Sequence, residues 1–111
     1  MDEKLIKLFT RILYDIERGY GALETKEFIK TIMNANIKED RKIEIVKTSI
    51  QIAIACKKSR DTELALMLAD SAFKNEDPTL KEKIKKFIKV LIEHKDISDS
   101  RLRGVYLEAI K

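Results

Sequence analysis

One cysteine among 111 residues, Cys56, excludes any disulfide within the chain and makes a reducing interior the simpler setting. Three glycines, Gly19, Gly21 and Gly104, are too few and too scattered for a phosphate-binding loop. There is one histidine, His94, at the end of a helical pattern, where a partly charged imidazole meets the last carbonyls more readily than it serves acid–base chemistry. Glu93, His94 and Asp96 would hold a metal only loosely, with no fourth ligand in view. Cys56 lies in an apolar run and reads as a small core residue, not a nucleophile. No cofactor, metal or small-molecule substrate is called for, and an enzyme is the last of the functional classes.

Long apolar runs are missing too: nothing approaches the roughly twenty residues that cross a bilayer, the densest stretch being Ile52 to Cys56. The opening MDEKLIKLFT carries acids and lacks the apolar core and small-residue cleavage site of a secretory signal. A cytoplasmic protein is therefore expected. Gln occurs once, at position 51, whereas Lys, Ile and Glu abound, a bias known from hyperthermophile proteins and also from AT-rich genomes.

What is present is charge and helical periodicity. The charged fraction of 38% and apolar fraction of 44% describe a soluble globular chain, one domain over residues 1–111. The segment Arg41 to Lys58 organises the rest. Ile43, Val46, Ile50 and Ile54 recur at helical spacing beside Ile45, Ile52 and Cys56, leaving a narrow polar stripe of Glu44, Lys47, Gln51 and Lys58. Ile50, Ile52 and Ile54 also alternate as a strand would. The eighteen or so residues without a turn signal exceed an ordinary strand, and no partner strand is evident. The segment is read as a central helix.

Around it, the spacing predicts a first helix from Asp2 to Arg18, capped by Asp2, and a second from Thr25 to Ala35. Asn36 is the expected cap of the central helix, with Glu39 reaching back to it. A fourth helix starts at Asp61 and ends near Phe73, using Leu64, Ala65, Met67, Leu68, Ala69, Ala72 and Phe73 as a broad apolar face. Asp77–Pro78 opens a fifth to His94, with Leu80, Ile84, Phe87, Ile88, Leu91 and Ile92 inward. Ser98 or Asp99 caps a sixth, weakened by Gly104. The fold class is all-α: about six helices in three antiparallel hairpins, as a right-handed α-α superhelix or a compact bundle. Sliding the fourth helix onto the sixth by 38 positions matches Leu64 with Leu102, Met67 with Val105, Leu68 with Tyr106 and Ala72 with Ile110. Over one hairpin and a half, Ala65, Ala69 and Ala72 followed by Asp77 and Pro78 resemble the spacing of tetratricopeptide and HEAT-type repeats. The large aromatic and glycine positions of a tetratricopeptide unit are missing, so the spacing assigns no family.

Two surfaces carry functional expectations. Lys81, Lys85 and Lys89 fall on one line of the fifth helix, with Lys83 and Lys86 beside it, and Lys57, Lys58, Arg60, Arg101 and Arg103 would extend the patch. Such a row follows a phosphate backbone without reading bases, or is simply a solvated face, since no aromatics interleave to stack bases. The net charge of +4 allows an acidic partner without demanding one. Tyr14, Tyr20 and Tyr106 are candidate anchors for a protein partner, or core-edge residues with wet hydroxyls. An uncovered side of the central helix would bury itself in a homodimer. The leading expectation is a non-enzymatic interaction module, an adaptor or small subunit of a larger assembly. The alternative is a sequence-independent nucleic-acid binder, for instance a small helical subunit of a ribonucleoprotein complex. An inhibitor or immunity-type protein is the third class.

Overall fold

Helix starts follow local chemistry. In the computed structural model, which describes residues 3–16 and 19–111, Asp61 accepts from the Leu64 amide at 3.0 Å. Asp77 accepts from Thr79 and Leu80 with Pro78 in the first turn, and Ser98 accepts from Arg101. These caps pin three of the six helices among the described residues: α1 (Glu3–Ile16), α2 (Ala22–Asn34), α3 (Glu39–Lys57), α4 (Thr62–Ala72), α5 (Pro78–Glu93) and α6 (Asp99–Ile110). The Asp2 cap and the Arg18 terminus expected for α1 lie outside the described residues.

Two starts differ from expectation. Helix α2 begins three residues early, because Gly21, at φ 83°, turns the chain straight into Ala22. The N-cap of α3 is Lys38, without a side-chain bond, and not Asn36. Glu39 turns forward instead, its Oε1 lying 3.5 Å from the Lys42 ammonium.

The order of the helices in space is read from pairs that bridge them. Arg11 meets Glu108 and Asp15 meets Arg101, so α1 and α6 run antiparallel. Tyr20 bonds Glu93, Phe28 stacks on Phe87 and Glu27 meets Lys83, so the chain through α2 runs antiparallel to α5. At the start of α3, Arg41 pairs with Glu76 just before α5, and at its end Lys57 reaches the end of α5, so these two helices run the same way. The result is a nested bundle in which α2 and α5 pair, α1 and α6 pair, and α3 and α4 complete the packing.

This nesting decides between superhelix and bundle. In a linear stack each hairpin touches only its neighbours. Here the first hairpin packs on the third through α2 with α5 and α1 with α6. The main neighbours of α6 are α3 and α1, not α5. A radius of gyration of 12.6 Å agrees with a closed bundle.

The core is continuous through all six helices, from Leu5, Leu8 and Ile12 of α1 to Leu102, Val105 and Ala109 of α6. At its centre Phe28 stacks on Phe87 at 4.2 Å, and Phe9 meets Phe28 edge-on at 6.4 Å. Such ring pairs contribute about 0.5–1.5 kcal/mol each beyond their buried area. The inward face of α5 is as expected, with Val90 added. That addition has a backbone counterpart: a Cβ on Gly21 would come within 2.3 Å of Val90, so only glycine lets the two approach.

Helix α3 is central but shares the centre with α5. Ile45, Val46, Ile50, Ile52, Ala53 and Cys56 are buried, Ile43 and Ile54 half-buried, and only Ala55 of its small apolar residues is exposed. It therefore has no uncovered apolar side for a homodimer.

Candidate functional site

The lysines of α5 do not form one free row. Lys81 and Lys85 lean together onto Asp70 of α4, at 3.2 and 3.1 Å. Hydrogen bonds from Lys85 and then Lys81 hold the Asp70 carboxyl below its ordinary range, against a small opposing effect of burial. Lys83 turns the other way and meets Glu27 of α2 at 3.0 Å. The exposed charged residues of α5 are Glu82, Lys86, Lys89 and Glu93, two bases between two acids. A helix rotates about 100° per residue, so the line 81–85–89 drifts around the axis and its first two members fall against α4.

The outlying members scatter further. Lys57 ends α3 and donates to the carbonyls of Leu91 at 2.8 Å, Ile92 at 3.2 Å and His94 at 2.8 Å. It caps the C-terminus of α5 from a neighbouring helix, and burial pulls its ammonium below the ordinary lysine value, with Asp99 acting in the opposite sense. Lys58 and Arg60 are exposed in the turn after α3, Arg60 at φ 53°. Arg101 is engaged with Asp15 at 3.4 Å, and Arg103 is exposed.

Lys42 repeats the arrangement at the other end of α3: buried, its Nζ donates to the Met33 carbonyl in the last turn of α2. Lys42 and Lys57 of α3 thus close the C-termini of two different helices. His94 does not perform the capping expected of it. Its Nδ1 accepts from the Asp96 amide at 3.2 Å, and its Nε2 is buried against Gly19 with no hydrogen-bond partner among the described residues. Cys56 is buried, and burial first, then the charge of Asp61, pushes its thiol up, away from the thiolate that a nucleophile requires. Among the described residues no three His, Cys, Asp or Glu side chains gather as a metal site, Glu93, His94 and Asp96 included. Among the described residues no helix is long and apolar enough to cross a membrane.

The tyrosines separate into three situations. Tyr106 is half-buried against the core. Tyr20 donates its hydroxyl to Glu93 at 2.7 Å, and that bond raises its phenol above the usual value. Tyr14 is 78% exposed and stands on the wall of an open depression.

That depression is an open groove of about 1040 Å³ between α1 and α6. Ile6, Thr10 and Tyr14 line it at i, i+4 and i+8 on α1, and Arg101, Glu108 and Lys111 stand on the α6 side. The Arg11–Glu108 pair at 2.9 Å and the Arg101–Asp15 pair tie its two walls together. Gly104 has a use here: a Cβ at that position would lie 3.1 Å from the Arg11 guanidinium, so glycine makes room for it to cross onto α6. Sequence reasoning singled out Tyr14 but gave Ile6, which lies off the helix's buried row, no role.

A second apolar surface lies on α4. Ala65, Ala69 and Phe73 are buried as expected, whereas Leu64, Met67 and Leu68 are 44%, 62% and 40% exposed and Ala72 is exposed as well. The expected apolar arc was wider than two neighbouring helices, α3 and α5, can cover. Compared with known protein families, curated proteins and solved structures, the chain has no significant match.

Proposed function

We propose that this chain is a non-enzymatic helical interaction module that receives a helical segment of a partner protein in the groove between α1 and α6. The observation that carries the reading is the groove itself, with Ile6 and Tyr14 exposed two turns apart on a wall already braced by two ion pairs. Apolar groups at i and i+8 match the contact period of a helix laid alongside. Tyrosine supplies a large, stiff contact at low entropic cost. Pockets for small molecules run to about 1,000 Å³ and enclose most of their ligand, so an open groove of this size suits a polypeptide better.

The test is site-specific photocrosslinking in cells, with a benzophenone side chain at position 14 and, as control, at the exposed position 51 of α3. One discrete crosslinked protein from position 14, absent from position 51 and lost when Ile6→Asp is added, is the expected result. Equal labelling from both positions would overturn the reading.

A second reading is favoured by one observation. Lys58, Arg60, Lys86, Lys89 and Arg103 are exposed and make no ion pair among the described residues, so they are open to phosphates. Fluorescence anisotropy with single- and double-stranded RNA and DNA across a salt series separates the two. Under the leading proposal no salt-steep binding appears. Micromolar binding that falls steeply with salt and is lost in Lys86→Glu/Lys89→Glu would put nucleic acid first.

A further inference from the structure

We propose that the C-terminal end of α5 is a binding site for a primary ammonium group, a site that this chain fills with its own Lys57. The carbonyls of Leu91, Ile92 and His94 converge on one point, and the Lys57 Nζ stands there at 2.8, 3.2 and 2.8 Å. A lysine ammonium has three donors and no acceptor. Group and cradle therefore match in number, donor for acceptor.

The cradle belongs to α5 and not to the lysine. The last carbonyls of a helix have no amide partners within it, and the aligned peptide dipoles leave that end partly negative. Helix α5 has no basic residue in its own last turn to answer this. The Val90 carbonyl takes the His94 amide, whereas the carbonyls of Leu91 and Ile92 turn to the lysine of α3. His94 leaves the helix in an extended conformation, and its carbonyl joins theirs. Burial works against a charge at this place, Asp99 at the start of α6 favours it, and Arg60 opposes it.

The other lysine cap lacks such a cradle. Lys42 meets a single backbone carbonyl, that of Met33 at 3.0 Å, with the Glu39 carboxylate 3.5 Å away. One carbonyl fixes a contact; three that converge fix a ligand.

Because all three acceptors are backbone atoms, shortening the lysine empties the site and leaves its walls in place. Lys57→Ala removes Cγ, Cδ, Cε and Nζ, which are the heavy atoms of the n-propylammonium ion, so that ion restores what was lost. Lys57 is part-exposed, and the site is open to an ion from solvent. Lys57→Met also removes the charge, but its side chain still occupies most of the path and leaves no room. None of the four residues lines the α1/α6 groove, so neither proposal depends on the other.

Urea unfolding of the full chain in n-propylammonium chloride and in tetramethylammonium chloride at the same concentration tests the site. The second ion has the charge and no N–H donor. For Lys57→Ala the unfolding constant should be about tenfold smaller in n-propylammonium, the effect of a ligand at about ten times its dissociation constant. Wild type and Lys57→Met should respond to the two salts alike. Should Lys57→Ala be unfolded in tetramethylammonium chloride, n-propylammonium is titrated in and the helical circular dichroism should return. Equal stability of Lys57→Ala in the two salts, the same gain in Lys57→Met, or no return from the unfolded state would each overturn the proposal.

Discussion

At the scale of single residues, the lysines divide by what their ammonium groups face. Lys57 satisfies three carbonyls that α5 leaves without amide partners, so a shape-preserving loss of charge uncovers all three. Lys57→Met should lower stability by about 2–3 kcal/mol, measured as a fall in urea midpoint at constant m-value. Lys86→Met, on the open face, should change it by no more than about 0.5 kcal/mol. The acidic partner of the α5 lysines makes a pH prediction. The folded-state value of Asp70 lies below its ordinary 3.8, so its contribution is present above that pH and disappears as pH falls through the lowered value. Asp70→Asn should therefore be less stable than wild type at neutral pH, with the two urea midpoints converging in acid below about pH 3.8. None of this division was legible in the sequence. Lys57 and Lys86 differ only in which helix end lies above them, and that is a tertiary fact.

At the scale of elements, α5 was the most legible and α4 the least. Proline at the first position, an Asp cap and apolar residues at strict helical spacing all point one way in α5, and its inward face came out as read. In α4 the apolar residues cover more than half the circumference, so periodicity alone does not tell the side that meets α3 and α5 from the side left exposed. The split predicts opposite responses to neighbouring substitutions. Ala69, fully buried, has no room for growth, and Ala69→Leu should cost about 1–3 kcal/mol. Met67, one turn of contact away on the outer face, should tolerate Met67→Ala within about 0.5 kcal/mol when measured by chemical denaturation at low protein concentration. On α1 the spacing leaves Ile6 off the buried row, but only the tertiary packing shows that it shares an open groove with Tyr14.

At the scale of the molecule, the two folds open to the sequence unfold differently. A stack of hairpins is held by nearest-neighbour interfaces, and its ends can melt before its middle. In the nested bundle the first hairpin is closed onto the third, and Phe28 of α2 shares its ring contacts with Phe87 of α5 and Phe9 of α1. Removing either end opens the core to water, so no half of the chain has a complete apolar face of its own. Unfolding should then be all-or-none: calorimetric and van't Hoff enthalpies should agree, at about 80 kcal/mol near 60 °C for a chain of this length. A fragment ending at Lys74, which keeps the first two hairpins but lacks α5 and α6, should give a circular dichroism spectrum without a cooperative thermal transition. Cooperative melting of that fragment would mean that α1 to α4 hold together without Phe87, Ile88 and Leu91, and that the nesting of α2 on α5 is an addition to the fold and not its condition.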